Sequence, residues 1–215
     1  MTEDEIAALR RTMVEEQLVT RHICDPQVLN VMGSVPRHCF VSADDLEWAY
    51  SDRPLPIGHG QTISQPYIVA LMTELLAIKP GDRLLEVGTG SGYQAAVLGK
   101  LAAHVDTVDV IPELAHGAQK TLAELGYTNV NVHTGDGSSG WPEQAPYDGI
   151  LVAAAAPAAP KPLLDQLADG GRLVIPVGGR GLQQLEVWVR SGLEYRRQVN
   201  LEVAFVPLLG EFGWK

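Results

Sequence analysis

Residues 84–98 read LLEVGTGSGYQAAVL. The apolar run ending at Val87 has the length and composition of a buried strand. Gly88-Thr89-Gly90-Ser91-Gly92 is a turn, and Tyr93 onward has helix-forming residues. A buried strand that feeds a glycine turn and then a helix is the first half of a parallel β-α-β crossover. Towards the C-terminus, HVDTVDV (104–110) reads as a second strand, PELAHGAQKTLAEL (112–125) as a helix opened by Pro112, and NVNVHTGD (129–136) and YDGILVAA (147–154) as further strands. PKPLLDQLA (160–168) is a helix and GGRLVIPVG (170–178) a strand. Alternation of this kind predicts an α/β, doubly wound and mainly parallel Rossmann-like sheet. After Gly181, LQQLEVWVR (182–190) and RRQVNLEVAFVPL (196–208) follow each other with no helix between them, so an antiparallel pair should complete one side of the sheet.

Towards the N-terminus the texture is helical. Ile6, Leu9, Met13 and Leu18 approach helical spacing and predict one amphipathic helix over 3–20. Asp25 and Pro26 are an N-cap and first-turn signal for VLNVM (28–32). RPLPIGHGQT (53–62) looks too rich in Pro and Gly for regular structure. Pro66 opens PYIVALMTELLAI (66–78), which has a wide buried face. The expected organisation is a single domain, 1–215, with a helical extension and loop over 1–78 and the α/β core over 79–215.

In such sheets ligands bind beyond the carboxyl ends of the strands, at the switch point, where Gly88, Gly90 and Gly92 lie. A turn chosen for packing alone is the competing explanation. Asp109, at the end of the second strand, is placed to accept ribose hydroxyls, or to cap the helix that follows. The spacing is G-x-G-x-G rather than the dinucleotide G-x-G-x-x-G, and Glu86 just before the loop would repel a phosphate. A carboxylate there suits an amino-bearing ligand. S-adenosylmethionine has a ribose and an ammonium group but no phosphate, which points to a class I methyltransferase.

Bulk properties narrow the partners. Of 215 residues 16 are basic and 26 acidic, for a net charge of -10, so a nucleic-acid phosphate grip is not expected. The acidic N-terminal stretch lacks the pattern of a signal peptide, and GILVAAAAPAAP (149–160) is too short and too proline-broken to span a bilayer. Two cysteines and six histidines without metal-ligand spacing predict a cytoplasmic, metal-free protein; a monomer is expected, although nothing in the residues fixes the oligomeric state.

Several blocks taken together resemble the protein-L-isoaspartate O-methyltransferase family. They are VLNVMGSVPRHCFV (28–41), PIGHGQTISQPYIVALMTELL (56–76), the glycine-loop stretch, GDGSSGW (135–141), APYDGILVAAAAP (145–157), LLDQLADGGRLVIPVG (163–178) and VAFVPL (203–208). The QTISQP block and the FVPL ending are much narrower signals than the glycine loop. The resemblance implies methyl transfer from S-adenosyl-L-methionine, leaving S-adenosyl-L-homocysteine, to the free carboxyl of L-isoaspartyl residues in damaged proteins and peptides. Such methylation starts repair through a succinimide. It further implies Ser64 as the active-site serine. The implied cofactor site is Gln61, Thr62, Ile63, Ser64, Glu86, Gly88, Gly90, Ser91, Gly92, Asp109, Val110, Asp136 and Gly137. Val69 stands where animal members carry a polar residue near the cofactor.

The residues themselves leave alternatives: a methyltransferase for another carboxylate or small molecule, a cofactor-binding adaptor without turnover, and for Ser64 a helix cap. The alanines after the fourth strand replace the Asn-Pro-Pro-aromatic element of amino-directed methyltransferases, which argues against a base or amine acceptor. Loop 54–60 and Val203–Leu208 are expected to bind extended peptide backbone. His59 reads as a spacer, Trp141 and Trp214 as packing residues, and GEFGWK (210–215) as mobile.

Overall fold

The computed structural model describes residues Met1–Lys215. Its centre is a seven-stranded sheet in the order β5-β4-β3-β6-β7-β8-β9. Here β3 is Arg83–Val87, β4 His104–Asp109, β5 Val130–Thr134, β6 Tyr147–Val152, β7 Leu167–Gly178, β8 Gln183–Ser191 and β9 Glu194–Val203. Strands β5, β4, β3, β6 and β7 run parallel, while β8 and β9 add antiparallel edges, as the loss of intervening helices predicted. The chain turns back on itself at β3, whose neighbours are β4 on one side and β6 on the other. That is the switch point, and the glycine loop leaves its carboxyl end.

Helices α3 (Pro66–Leu76), α4 (Tyr93–Gly99), α5 (Pro112–Glu124) and α6 (Lys161–Asp165) cover the sheet. An apolar cluster of 33 buried residues runs from Ile6 in the N-terminal extension through α3, α4 and β3 to Val203. A second cluster of 13 lies between β6, β7, α6 and Leu208. No helix is long and apolar enough to cross a membrane.

Two expectations need correction. The helix expected over 3–20 is α-helical only in α1 (Glu3–Thr12), which Thr2 and Glu5 start with a reciprocal capping box. The chain then widens into a π turn over Met13–Leu18 and tightens to a 3-10 turn that ends at His22 with φ 66°. Met13 and Leu18 are both fully buried. Five residues apart, they would diverge by about 140° on an α-helix, and the wider turn brings both to one face. Helix α2 (Pro26–Met32) forms as expected, with the Asp25 carboxylate accepting from Gln27 N at 2.8 Å.

Residues 53–62 also fold, although their composition argued otherwise. Strands β1 (Leu55–Gly58) and β2 (Gln61–Ile63) form an antiparallel hairpin. Its two-residue turn has φ 53° at His59 and 71° at Gly60, the left-handed pair that matches the twist of the flanking strands. Of the residues counted as breakers, Gly60 closes the turn and Pro56 sits within β1, paired with Thr62.

Candidate active site

The carboxyl ends of β3 and β4 and the hairpin enclose a cleft of about 900 Å³. Its wall contains Gln61, Thr62, Ile63, Ser64, Glu86, Gly88, Gly90, Ser91, Asp109, Val110 and Gly137. The sequence-derived candidates from four separate stretches thus converge on one space. The hairpin roofs it: a Cβ on Gly90 would lie 3.2 Å from Ile57 Cδ1.

Two candidates fall outside. Gly92 does not line the cleft. Its φ of 88° starts α4, and a Cβ there would lie 3.1 Å from Ala118 Cβ, so this glycine lets α4 approach α5. Asp136 is also absent from the wall. Its carboxylate accepts from Ser138 N and Oγ at 2.9 and 2.6 Å and from Glu211 N at 2.8 Å. Phe212 N donates to Ser138 Oγ at 3.0 Å, and Trp214 Nε1 to Ala155 O at 3.1 Å. The C-terminal segment expected to be mobile is therefore strapped onto the loop after β5. Trp141 stacks on His133 at 4.1 Å, away from the cleft, so both tryptophans pack as expected.

The acids in the cleft differ in what they have left to offer. Asp109 Oδ2 accepts from Gly90 N at 2.8 Å and Oδ1 from Ile111 N at 2.9 Å, which sets the shape of the glycine loop and leaves one lone pair on each oxygen. Glu86 is completely buried. Its Oε2 accepts from Thr107 Oγ1, which in turn bonds Thr89 Oγ1 at 2.7 Å, while Oε1 has no partner. Burial pushes this carboxyl up to about 8, Thr107 pulls it part of the way back, and the nearby Asp109 charge adds to the rise. A buried acceptor without a donor suits an ammonium group.

Ser64 decides between the two explanations offered for it. The N-cap of α3 is Gln65, whose side chain makes no capping bond, and the free N–H of Tyr67 in the first turn is taken by Asp52 Oδ1 at 3.0 Å, not by Ser64. The one hydrogen bond on Ser64 reaches its carbonyl, from Arg37 Nη2 at 2.7 Å, and its hydroxyl is free. The capping explanation is thereby excluded. Ser64 lines the deep cleft and a neighbouring one of about 860 Å³, formed with Arg21, Pro54, Gln65 and Leu201–Val206. Of the segments expected to hold peptide backbone, Val203–Val206 and Pro54 line this second cleft, whereas Pro56–His59 face a separate groove on the other side of the hairpin.

Other wall residues had been read in different roles, Val203–Leu208 as a segment beside the cleft that binds peptide backbone. Phe205–Leu209 form part of the deep cleft because this segment crosses the alanines after β6: Ala155 N donates to Val206 O and Leu208 N to Ala155 O, both at 2.8 Å. The FVPL block was a signal, but its neighbour across space was not legible. Tyr93 and Gln94, read as ordinary α4 residues, and Ile68 and Met72, read as α3 core, escaped sequence reasoning and also reach the cleft, as does Val69, which the resemblance had placed near the cofactor position.

A glycine-loop cleft at the switch point of this sheet, roofed by an appended hairpin, defines a methyltransferase-type α/β fold. Residues 8–213 match the family described as protein-L-isoaspartate(D-aspartate) O-methyltransferase, and the chain belongs to that family. A protein-L-isoaspartate O-methyltransferase of Methanoregula boonei is 55% identical over 206 residues, covering 96% of this chain and 95% of its own. One from Syntrophobacter fumaroxidans is 56% identical over 207 residues, covering 96% of each. Among solved structures, a protein-L-isoaspartate O-methyltransferase superposes with a TM-score of 0.86 at 28% identity, covering 95% of this chain and 67% of that one. A Plasmodium falciparum relative in complex with S-adenosyl-L-homocysteine gives 0.81 at 27% identity, covering 93% and 98%.

Proposed function

We propose that this chain transfers the methyl group of S-adenosyl-L-methionine to the free carboxyl of L-isoaspartyl residues in damaged proteins and peptides. The observation that carries the proposal is Ser64, whose free hydroxyl stands in the wall shared by the two clefts. Family membership supports the same acceptor.

In this reading the cofactor lies in the deep cleft. Asp109 accepts the ribose hydroxyls with its remaining lone pairs, and the unpartnered Oε1 of Glu86 takes the ammonium group. Gln61, Thr62 and Ile63 close over it from β2, while Gly88, Gly90, Ser91, Val110 and Gly137 supply backbone and close apolar contact. Gly137 lines the cleft while its other side packs against Val87 and Val108, where any Cβ would clash at 2.6 and 2.9 Å, so packing by itself requires glycine there. When bound, the cofactor supplies an electrophilic methyl group on a positively charged sulfur.

The acceptor enters through the second cleft, with its backbone extended along Val203–Val206 and its carboxylate at Ser64. That carboxylate is already ionised near neutral pH, so no general base is needed. The Ser64 hydroxyl donates to one carboxylate oxygen and leaves the other in line with the methyl group. Oxygen–carbon bond formation and carbon–sulfur cleavage then cancel both charges, and the hairpin roof excludes water. Histidine takes no part, since none lines either cleft.

The test is labelled methyl transfer to paired isoaspartyl and aspartyl peptides of one sequence. Base-labile ester should form on the isoaspartyl peptide alone, and methylation of the aspartyl peptide or of neither refutes the reading. N-methylation of the peptide backbone beside the isoaspartyl residue should slow transfer, whereas equal rates would remove the backbone contact. The chain is further proposed to act as one domain and as a cytoplasmic monomer without nucleic-acid partners. The net charge of -10 supports this, and sedimentation as a dimer, or shift of a DNA probe, would count against it.

A further inference from the structure

Arg37 is among the largest side chains with no exposure at all, yet it belongs to none of the chain's ion pairs. Its Nε donates to Ala49 O at 2.7 Å and its Nη2 to Ser64 O at 2.7 Å, while Nη1 has no partner. The guanidinium lies 4.7 Å above the centre of the Tyr93 ring, and Tyr93 lines the deep cleft. Enclosing a cation without a directly paired carboxylate is costly, the Asp52 charge acting only from a distance, and an apolar side chain of the same volume would fill the space more cheaply. Packing therefore does not explain the arginine.

Its contacts suggest what does. Ala49 follows the 3-10 turn Ala43–Trp48, and Ser64 lies between β2 and α3. No other hydrogen bond, from backbone or side chain, holds Ser64. A residue expected to orient a carboxylate within a few tenths of an ångström is thus tethered through one carbonyl to one rigid fork. The fork is itself fixed by a second carbonyl and an aromatic face, two contacts independent of Ser64.

We propose that Arg37 is a positioning residue for methyl transfer: from the N-terminal extension it fixes the backbone of Ser64, and through it the hydroxyl that orients the acceptor carboxylate. This rests on the reading of Ser64 given above. Arg37 touches neither reactant, so its effect should pass entirely through Ser64. Lysine in its place keeps the charge but has a single ammonium group where the fork reaches two carbonyls. Glutamine keeps a donor without the charge.

The experiment is a double-mutant cycle on isoaspartyl-peptide methylation with wild type, Arg37→Lys, Ser64→Ala and the double variant, and with Arg37→Gln in parallel. Calorimetric S-adenosyl-L-homocysteine binding and melting are measured for each. Arg37→Lys should lower kcat by roughly tenfold or more, with S-adenosyl-L-homocysteine affinity within about twofold of wild type. In the Ser64→Ala background the same change should cost less than about twofold, because the hydroxyl it positions is already gone. Equal losses in both backgrounds, an unchanged kcat, or failure of both Arg37 variants to fold would overturn the proposal and leave Arg37 a purely structural residue. Wild-type turnover of the isoaspartyl peptide tests the functional reading by itself, so the two failures are distinguishable.

Discussion

Glu86→Gln should remove one component of the pH dependence of stability and weaken cofactor binding at the same time. In the protein without cofactor the carboxyl is completely buried, its Oε1 lacks a partner, and burial raises it from 4.5 to about 8. Between those two values the folded chain keeps a proton that the unfolded chain has released. The contribution of this group to stability is therefore complete below pH 4.5 and falls as pH rises towards 8, where the carboxylate finally ionises in place. The slope is about 1.4 kcal/mol per pH unit from this one group. Glutamine has the same shape and cannot ionise, but its buried amide protons lack an acceptor, at about 1–3 kcal/mol.

The variant should thus be no more stable than wild type near pH 5 and more stable near pH 8.5. Urea midpoints across that range, without ligand, give the crossing directly. Binding should show the opposite face of the same linkage. An ammonium group at Oε1 favours the carboxylate, so S-adenosyl-L-homocysteine should bind wild type more tightly as pH rises from 6 to 7.5, at close to tenfold per unit. In that range an α-amino group stays largely protonated. Glu86→Gln should lose both the slope and roughly ten- to a hundredfold in affinity. Parallel stability curves for the two proteins, or an unchanged binding slope in the variant, would refute the reasoning.

Ser64→Ala should lower kcat by roughly ten- to a hundredfold, equivalent to about 1.4–2.7 kcal/mol of lost orientation, while S-adenosyl-L-homocysteine affinity stays within twofold. A normal rate would return Ser64 to the cleft wall as filler. Asp136→Ala should release the C-terminal strap, costing about 1–2 kcal/mol and exposing residues beyond Leu209 to carboxypeptidase; equal digestion rates would discount the contact. Against the upward push of burial, hydrogen bonds from Ser138 and Glu211 hold this carboxyl below 3.8, so its contribution is present above that pH and is lost as pH falls further in wild type but not in the variant. Gly92→Ala should cost about 1–3 kcal/mol of stability through its φ of 88° and the Ala118 contact while sparing cofactor affinity; a stable variant with weakened binding would put Gly92 back in the cleft.

How much could be read from the residues depended on the range of the interaction concerned. The strand–helix alternation from Arg83 to Gly178 was legible because each element is signalled locally, by apolar runs, Pro at first turns and glycines between them. The antiparallel edge followed from a missing helix. The hairpin at Leu55–Ile63 was not legible, because the same Pro and Gly residues signal a break or a tight turn, and only pairing between two short strands decides which. The 3–20 helix was right in burying Ile6, Met13 and Leu18 but wrong for Leu9, which is exposed, and wrong in its turn, since Met13 and Leu18 are brought together by packing rather than by local preference.

For the site, spacing placed Glu86, Gly88, Gly90 and Asp109 at the switch point, and motif resemblance added the stretch from Gln61 to Ser64. Sequence by itself determined the fold class, the family and the region of the cleft. It could not say which glycine lines the cleft and which makes a helix contact, because Gly90 and Gly92 share one turn and differ only in what lies opposite them: Ile57 for the first, Ala118 for the second. Nor could it say that Asp136 holds the chain's own C-terminal strap, or that Arg37 reaches Ser64, since those partners lie 75 and 27 residues away. Ser64 shows the division most clearly. A serine before Pro66 is equally consistent with a helix cap and with a ligand contact, and the tertiary structure separated the two by leaving its hydroxyl free between two clefts. Local chemistry sets what a residue can donate or accept; which group receives it is settled by elements that meet only when the chain has folded.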